Sequence, residues 1–232
     1  MSLNLQTFKT RTLTAVVFAA LMLTGLLWND WSFLILFTII HFGCWYEFVK
    51  LMKRIFPQKY LLHCLLGLIY ITMPVLTMIG LGYTLEIHTR NNNSSIIYSA
   101  VIPCGIVFSI WINDTMAYIV GSMFGKTPFT KISPKKTWEG TIGGVLLCIA
   151  VIGILGYYIP AANIISVKHW MAIAAICAVF GTAGDLLESK IKRMANVKDS
   201  GAFMPGHGGF LDRFDSFLMA TPFVWIYISI CS

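Results

Sequence analysis

Seven apolar stretches, at residues 12–28, 31–49, 60–82, 96–120, 138–159, 168–190 and 211–230, come close to the length a helix needs to cross a bilayer. About 20 helical residues span the roughly 30 Å of hydrocarbon, and polar or Gly/Pro residues punctuate the stretches. Mean hydropathy is +0.74 and only 12% of the 232 residues are charged, so the apolar side chains outnumber what one soluble core could bury. The expectation is an all-α, polytopic integral membrane protein with about seven transmembrane helices. Asn29 and Asp30 alone separate the first two stretches, which predicts a tight helical hairpin. The first stretch lacks a small-residue cleavage pattern and is expected to stay attached as a signal anchor.

Lys and Arg fix the orientation, because they collect in cytosolic loops. Alternating seven spans puts fifteen of them on one side and only Arg90 and Lys168 on the other, which predicts a cytosolic N-terminus and an outward C-terminus. The net charge of +7 therefore reports topology, and no nucleic-acid partner is implied. The six cysteines are scattered through apolar runs without metal-site spacing and read as small core or lipid-facing residues. Glu47, Asp114, Glu139, Asp185, Glu188, Asp199, Asp212 and Asp215 all fall near the predicted cytosolic ends of spans, leaving only Asp30 and Glu86 outside. Ionisable groups at such depths are functional candidates, so the chemistry is expected on the cytosolic side.

Three segments carry it. Asp185, Glu188, Ser189 and Lys192 recur at helical spacing on one polar face as the sixth span leaves the membrane. Residues 199–209 then form a loop with four glycines and a proline, leading into Asp212 and the last span. Such a loop can approach phosphate closely, and the helix N-terminus beyond it favours anions. Carboxylates beside an anion need a bridging cation, for which Mg²⁺ is usual, and Asp185 with Asp212 is the best ligand pair. The third segment is the loop before the fifth span. There Ser133 is expected as an N-cap, Pro134 at the first helical position, and Lys135 and Lys136 in the first turn. Two lysines in that turn oppose the helix dipole unless a polyphosphate joins them; a topology signal without ligand is the other reading. Asp114 fits either a structural hydrogen bond to Tyr118, four residues on, or a substrate role, and His207, between glycines, fits either a positional role or acid/base work.

The order Ser189-x-Ile-Lys-Arg193, Lys198-Asp-x-Gly201, Pro205-x-His207-Gly208-Gly209-Phe-x-Asp212-Arg213-Phe-Asp215 resembles the signature of the phosphatidate cytidylyltransferases, or CDP-diacylglycerol synthases, over the 27 residues 189–215. Ser133-Pro-Lys-Lys-Thr-Trp-Glu-Gly and Asp114-Thr-x-Ala-Tyr look like further family segments, so the likeness runs from about residue 105 to 232. It implies a catalytic membrane domain at 96–232 behind N-terminal spans at 1–95 whose role is uncertain. The implied reaction is CTP plus phosphatidate giving CDP-diacylglycerol and pyrophosphate, with Mg²⁺ at Asp185 and Asp212. Lys192, Arg193 and Arg213 would act beside them in catalysis. Lys126, Ser133, Lys135, Lys136, Ser189, Lys198, His207, Gly208, Gly209 and Asp114 would bind substrate, Lys126 being the nearest basic substitute where Ser122 stands in place of a common Arg. Glu188 and Asp215 are candidates for a second cation. The likeness also implies a bacterial cytoplasmic (inner) membrane with the site on its cytosolic face, and leaves a homodimer open. A membrane lipid kinase, a cytidylyltransferase for another lipid, and a transporter are the other readings, the last disfavoured by the one-sided clustering of charge.

Overall fold

The computed structural model describes residues 5–88, 93–130, 132–201, 203 and 208–231, with the backbone alone at 5–11, 84–88 and 93–96. The helices are α1 (Leu5–Leu27), α2 (Asp30–Ile55), α3 (Tyr60–Cys64), α4 (Met73–Leu81), α5 (Val101–Phe124), α6 (Trp138–Tyr158), α7 (Val167–Met194) and α8 (Leu211–Cys231). A π-helical turn, Leu68–Thr72, joins α3 to α4, so that Tyr60–Leu81 acts as one apolar element. Among the described residues six helical segments are long and apolar enough to cross a membrane, and a shorter apolar stretch lies in α1, Thr12–Leu27. The chain is an all-α, multi-pass membrane protein.

It divides into two compact units: residues 1–72 with 191–214, and residues 73–190 with 215–232. In the first, α1 and α2 form the expected hairpin. Asn29 caps α2, its side chain accepting the Ser32 amide at 2.8 Å while Ser32 Oγ accepts the Asn29 amide at 3.0 Å. That reciprocal capping box uses two amides a helix start leaves open. The buried face of α2 repeats at helical spacing through Phe33, Phe37, Ile40, Cys44, Phe48 and Leu51, and Glu47 lies among them at 4% exposure.

The second unit rests on two close helix pairs. Gly140 and Gly144 of α6 lie over Ala117 of α5, and Gly140 also over Gly121. Small residues four apart on both helices let the backbones approach, which is how helices associate where lipid supplies no hydrophobic drive between them. In α7, Ala174, Cys177, Ala178, Gly181 and Gly184 are buried, Gly181 facing Ser216 of α8, while Phe180 stacks on Phe223 at 3.7 Å.

One span boundary and one helix cap differ from the sequence expectation. The fourth span starts at Val101 rather than 96, because Asn93–Tyr98 pairs antiparallel with Tyr83–His88 as the hairpin β1–β2, with Tyr83 opposite Tyr98. Its β-branched and aromatic residues, Ile96, Ile97 and Tyr98, suit a strand. The fifth span starts at Trp138, and its cap is Thr137, whose Oγ1 accepts the Gly140 amide at 3.1 Å. Ser133 is therefore not a helix cap.

Candidate active site

In the second unit the loop between α5 and α6 closes on itself. Lys126 and Thr127 donate their amides to the Glu139 carboxylate at 3.2 Å, Trp138 donates to Thr127 O at 3.0 Å, and Phe129 to Lys136 O at 2.8 Å. Its tip is a turn in which Lys136 donates back to Ser133 O at 3.1 Å, with Pro134 at the second position, where its fixed φ belongs. Lys135 and Lys136 thus sit before α6, not in its first turn, and the conflict with the helix dipole does not arise.

What the turn does is aim them into a cavity of about 490 Å³. Asp114, Ser133, Lys135, Lys136 and Asp185, all expected site residues, line it together, with Asn113, Ser122, Thr137, Thr141 and Thr182. The Lys136 ammonium pairs with the Asp185 carboxylate, whose Oδ1 accepts the Ser189 hydroxyl at 3.3 Å. Asn113 is the residue sequence reading missed. It is 3% exposed, and its Oδ1 has no hydrogen-bond partner. A buried acceptor left unmade costs about 1–3 kcal/mol, so a donor arriving in this cavity would gain by meeting it. Lys126 is exposed and not among the residues that line the cavity; Glu188 and Asp215 are buried, and Asp215 accepts the Ser216 amide at 2.7 Å.

The first unit holds the other carboxylate. Asp212, in the first turn of α8, accepts Lys192 Nζ on Oδ1 at 2.6 Å, and on Oδ2 the amides of Ser200 at 2.9 Å and Gly209 at 2.7 Å. Beside it, Glu47 of α2 accepts the amide of Phe210 at 3.0 Å, that of Leu211 at 2.9 Å, and the Ser200 hydroxyl at 2.6 Å. Glycine-rich backbone and helix N-terminus are thus used as expected of an anion site, but the anions are the protein's own. A Cβ on Gly201 or Gly209 would run into the Glu47 carboxylate, and Gly208, at φ 84°, takes a conformation glycine adopts without strain. Hydrogen bonds to charged groups contribute about 1.5–3 kcal/mol each, enough to hold the loop on its two carboxylates. Arg193 and Lys198 are exposed, Arg193 donating to Val197 O at 3.3 Å; Arg213 is exposed on α8, and His207 lies outside the described residues.

Among the described residues no three His, Cys, Asp or Glu side chains group as a metal cage. Each expected metal ligand lies within its own unit. Asp185 and Asp212 each face an ammonium, and a single carboxylate with substrate phosphates completing the shell is a donor set that fits Mg²⁺.

The protein is 48% identical over 118 residues to phosphatidate cytidylyltransferase 4, chloroplastic, of Arabidopsis thaliana, an overlap of 50% of this chain and 29% of that protein. It is 38% identical over 167 residues to the phosphatidate cytidylyltransferase of Staphylococcus aureus (strain COL), covering 71% of this chain and 58% of the relative. With that of Bacillus subtilis (strain 168) it shares 38% over 159 residues, 66% and 56% of the two chains. It spans less than two thirds of the length of each of these relatives. Residues 64–231 match the sequence profile of the Cytidylyltransferase family, a stretch that includes the cavity with its paired lysines, Asp185, Lys192 and Asp212. On that match, which covers more than two thirds of its residues, the chain belongs to the cytidylyltransferase family.

Proposed function

We propose that the chain transfers CMP from CTP to phosphatidate, releasing pyrophosphate and giving CDP-diacylglycerol. The observation that carries this is the cavity in the second unit, where Lys135, Lys136 and Ser133 offer donors to phosphate and Asn113 offers an unmet acceptor. A triphosphate would draw Lys135 and Lys136, and an amino group such as cytosine carries would satisfy the Asn113 carbonyl. Asp114 and Thr137 line the same space. The names of the relatives support the lipid substrate.

In the reaction an oxygen of the lipid phosphate forms a bond to the α-phosphorus of CTP while the bond from that phosphorus to the bridging oxygen breaks. A phosphate monoester has its second pKa at about 6, so the nucleophile is already anionic and no strong base is needed. The chain's own work is positioning and charge balance. Lys136 holds Asp185 oriented until substrate phosphate competes for it, and Lys192 does the same for Asp212. Arg193, Arg213 and Lys198 are exposed cations within the signature, assigned to balancing the charge of the leaving pyrophosphate. Asp185 and Asp212 are the carboxylates assigned to Mg²⁺, which would neutralise charge developing on the phosphates; Glu188 and Asp215 are the candidates for a second cation. Catalytic groups are assigned to residues 96–232, on the cytosolic face of a bacterial cytoplasmic membrane. A homodimer belongs to the same proposal, and the mass of the solubilised protein would test it.

Purified protein given labelled CTP, phosphatidate and Mg²⁺ should accumulate lipid-bound CMP and release one pyrophosphate per turnover. Label transferred to a polyprenol or another lipid, with none on phosphatidate, would replace the substrate; γ-phosphate transfer would make it a kinase.

A further inference from the structure

We propose that Glu47, on α2 and outside the stretch that matches the family profile, is a positioning residue for the Asp212 carboxylate. Glu47 is 4% exposed in the C-terminal third of α2. Its two oxygens receive the Phe210 and Leu211 amides, the last before α8 and the first within it, and the Ser200 hydroxyl as well. Ser200 in turn contacts Asp212 twice, through its amide at 2.9 Å and its hydroxyl at 2.9 Å. One side chain from the second helix therefore fixes both ends of the segment that defines where Asp212 points.

The surroundings are shaped for this contact. Gly43 lies one helical turn before Glu47, on the same face, and a Cβ there would meet the Phe210 ring at 2.6 Å. Gly201 and Gly209 leave room for the Glu47 carboxylate itself. Three glycines from two separate parts of the sequence thus accommodate one ring and one carboxylate. A solvated charge at a span end needs none of them, and a helix cap alone would not reach Ser200. A carboxylate is also the side chain whose two oxygens only accept, as two amides and a hydroxyl require.

The proposal is tested on the full chain in lipid nanodiscs with Glu47→Ala, Glu47→Gln and, as a control for lost packing on the same helix, Phe37→Ala. Hydrogen–deuterium exchange is followed on peptides covering 208–214, with α6 peptides as reference. In Glu47→Ala, exchange at Phe210 and Leu211 should speed up at least about tenfold with α6 unchanged, and kcat should fall about tenfold or more, as small misplacements of a reacting group do. KM for CTP should stay within about threefold, because the loss is in orientation. Glu47→Gln, which keeps one acceptor but brings an N–H donor, should fall between, and decides alone if the alanine variant does not fold. Phe37→Ala should lower Tm yet leave 208–214 exchange and kcat near wild type. Unchanged exchange at 208–214 in a folded Glu47 variant, or equal losses in Phe37→Ala, overturns the proposal. The kcat reading rests on the phosphatidate cytidylyltransferase activity, whereas the exchange reading uses no substrate, so the two fail separately.

Discussion

The Ser200 hydroxyl oxygen lies 2.6 Å from Glu47 and 2.9 Å from Asp212, and its single proton serves one carboxylate at a time. The amides of Ser200, Gly209, Phe210 and Leu211 and the Lys192 ammonium supply the remaining donors. Asp212→Asn preserves shape but turns an N–H group toward donors on one side or the other. It should cut turnover by at least about a hundredfold, the scale of losing one key electrostatic group, while the protein still inserts and purifies. Asp185→Asn, which removes the partner of Lys136, should do the same. If both carboxylates serve one ion, the double variant is little worse than the worse single, since groups acting as a unit are not additive; independent multiplicative losses would argue for separate ions. Gly209→Ala should destabilise the protein by about 1–3 kcal/mol, the usual cost of overpacking, read as a lower Tm of the purified protein. Asp185 and Asp212 were legible in sequence because each stands at the end of an apolar run beside other polar residues. Glu47 was legible as a charge in a costly position, but its partners are 153 to 164 residues away, a distance no local spacing encodes. Asn113 was overlooked because the adjacent charge of Asp114 drew the functional reading.

At the scale of elements, the loop between α5 and α6 makes the clearest case for reading geometry over local propensity. Ser133-Pro134 fits a helix start and a type I turn equally well from sequence, since Pro is favoured at N1 of the one and at the second position of the other. The tie is broken downstream: Thr137 caps α6 from an extended conformation of its own, with φ −120° and ψ 153°, and Glu139 then faces the amides of Lys126 and Thr127 to close the loop. The hairpin β1–β2 escaped for a related reason, because only Ser99 and Ala100 separate Ile96, Ile97 and Tyr98 from the apolar run of α5. The long helices needed no such arbitration, since twenty apolar residues leave the chain little else to form in lipid. The lysine turn predicts that Lys135→Ala with Lys136→Ala raises KM for CTP or lowers kcat so that kcat/KM falls about tenfold or more, equivalent to 1.4 kcal/mol. Protein yield should hardly change, because one lysine is exposed and the other partly so. An unchanged CTP dependence would return the pair to a topology signal. Thr137→Ala should instead destabilise by about 1 kcal/mol through loss of the cap, visible in Tm.

For the whole molecule, the central question is which face of the membrane carries the carboxylates. Between residues 161 and 198 the chain has one membrane-length helix, α7, so the two positions must lie on opposite sides if α7 crosses. Between Lys59 and Lys126 it has two such segments, Tyr60–Leu81 and α5, which returns both lysines to one side. Lys126, Lys135 and Lys136 are separated from residue 161 by α6 alone. Helix order thus fixes relative sidedness, and the fifteen-to-two division of Lys and Arg chooses the absolute one. Ala161 and Lys198 are both exposed, so a cysteine at either is accessible to reagent. In a variant with its six native cysteines replaced, Ala161→Cys should react with a membrane-impermeant thiol reagent in intact cells, and Lys198→Cys only after permeabilisation. Reversed labelling would put the carboxylates outside, where cytosolic CTP cannot reach them, and would sink the proposed reaction along with the orientation. Labelling of both positions from one side would show that α7 does not cross, which would remove Asp185 from the inner end of a span and leave the fifteen-to-two division without a basis.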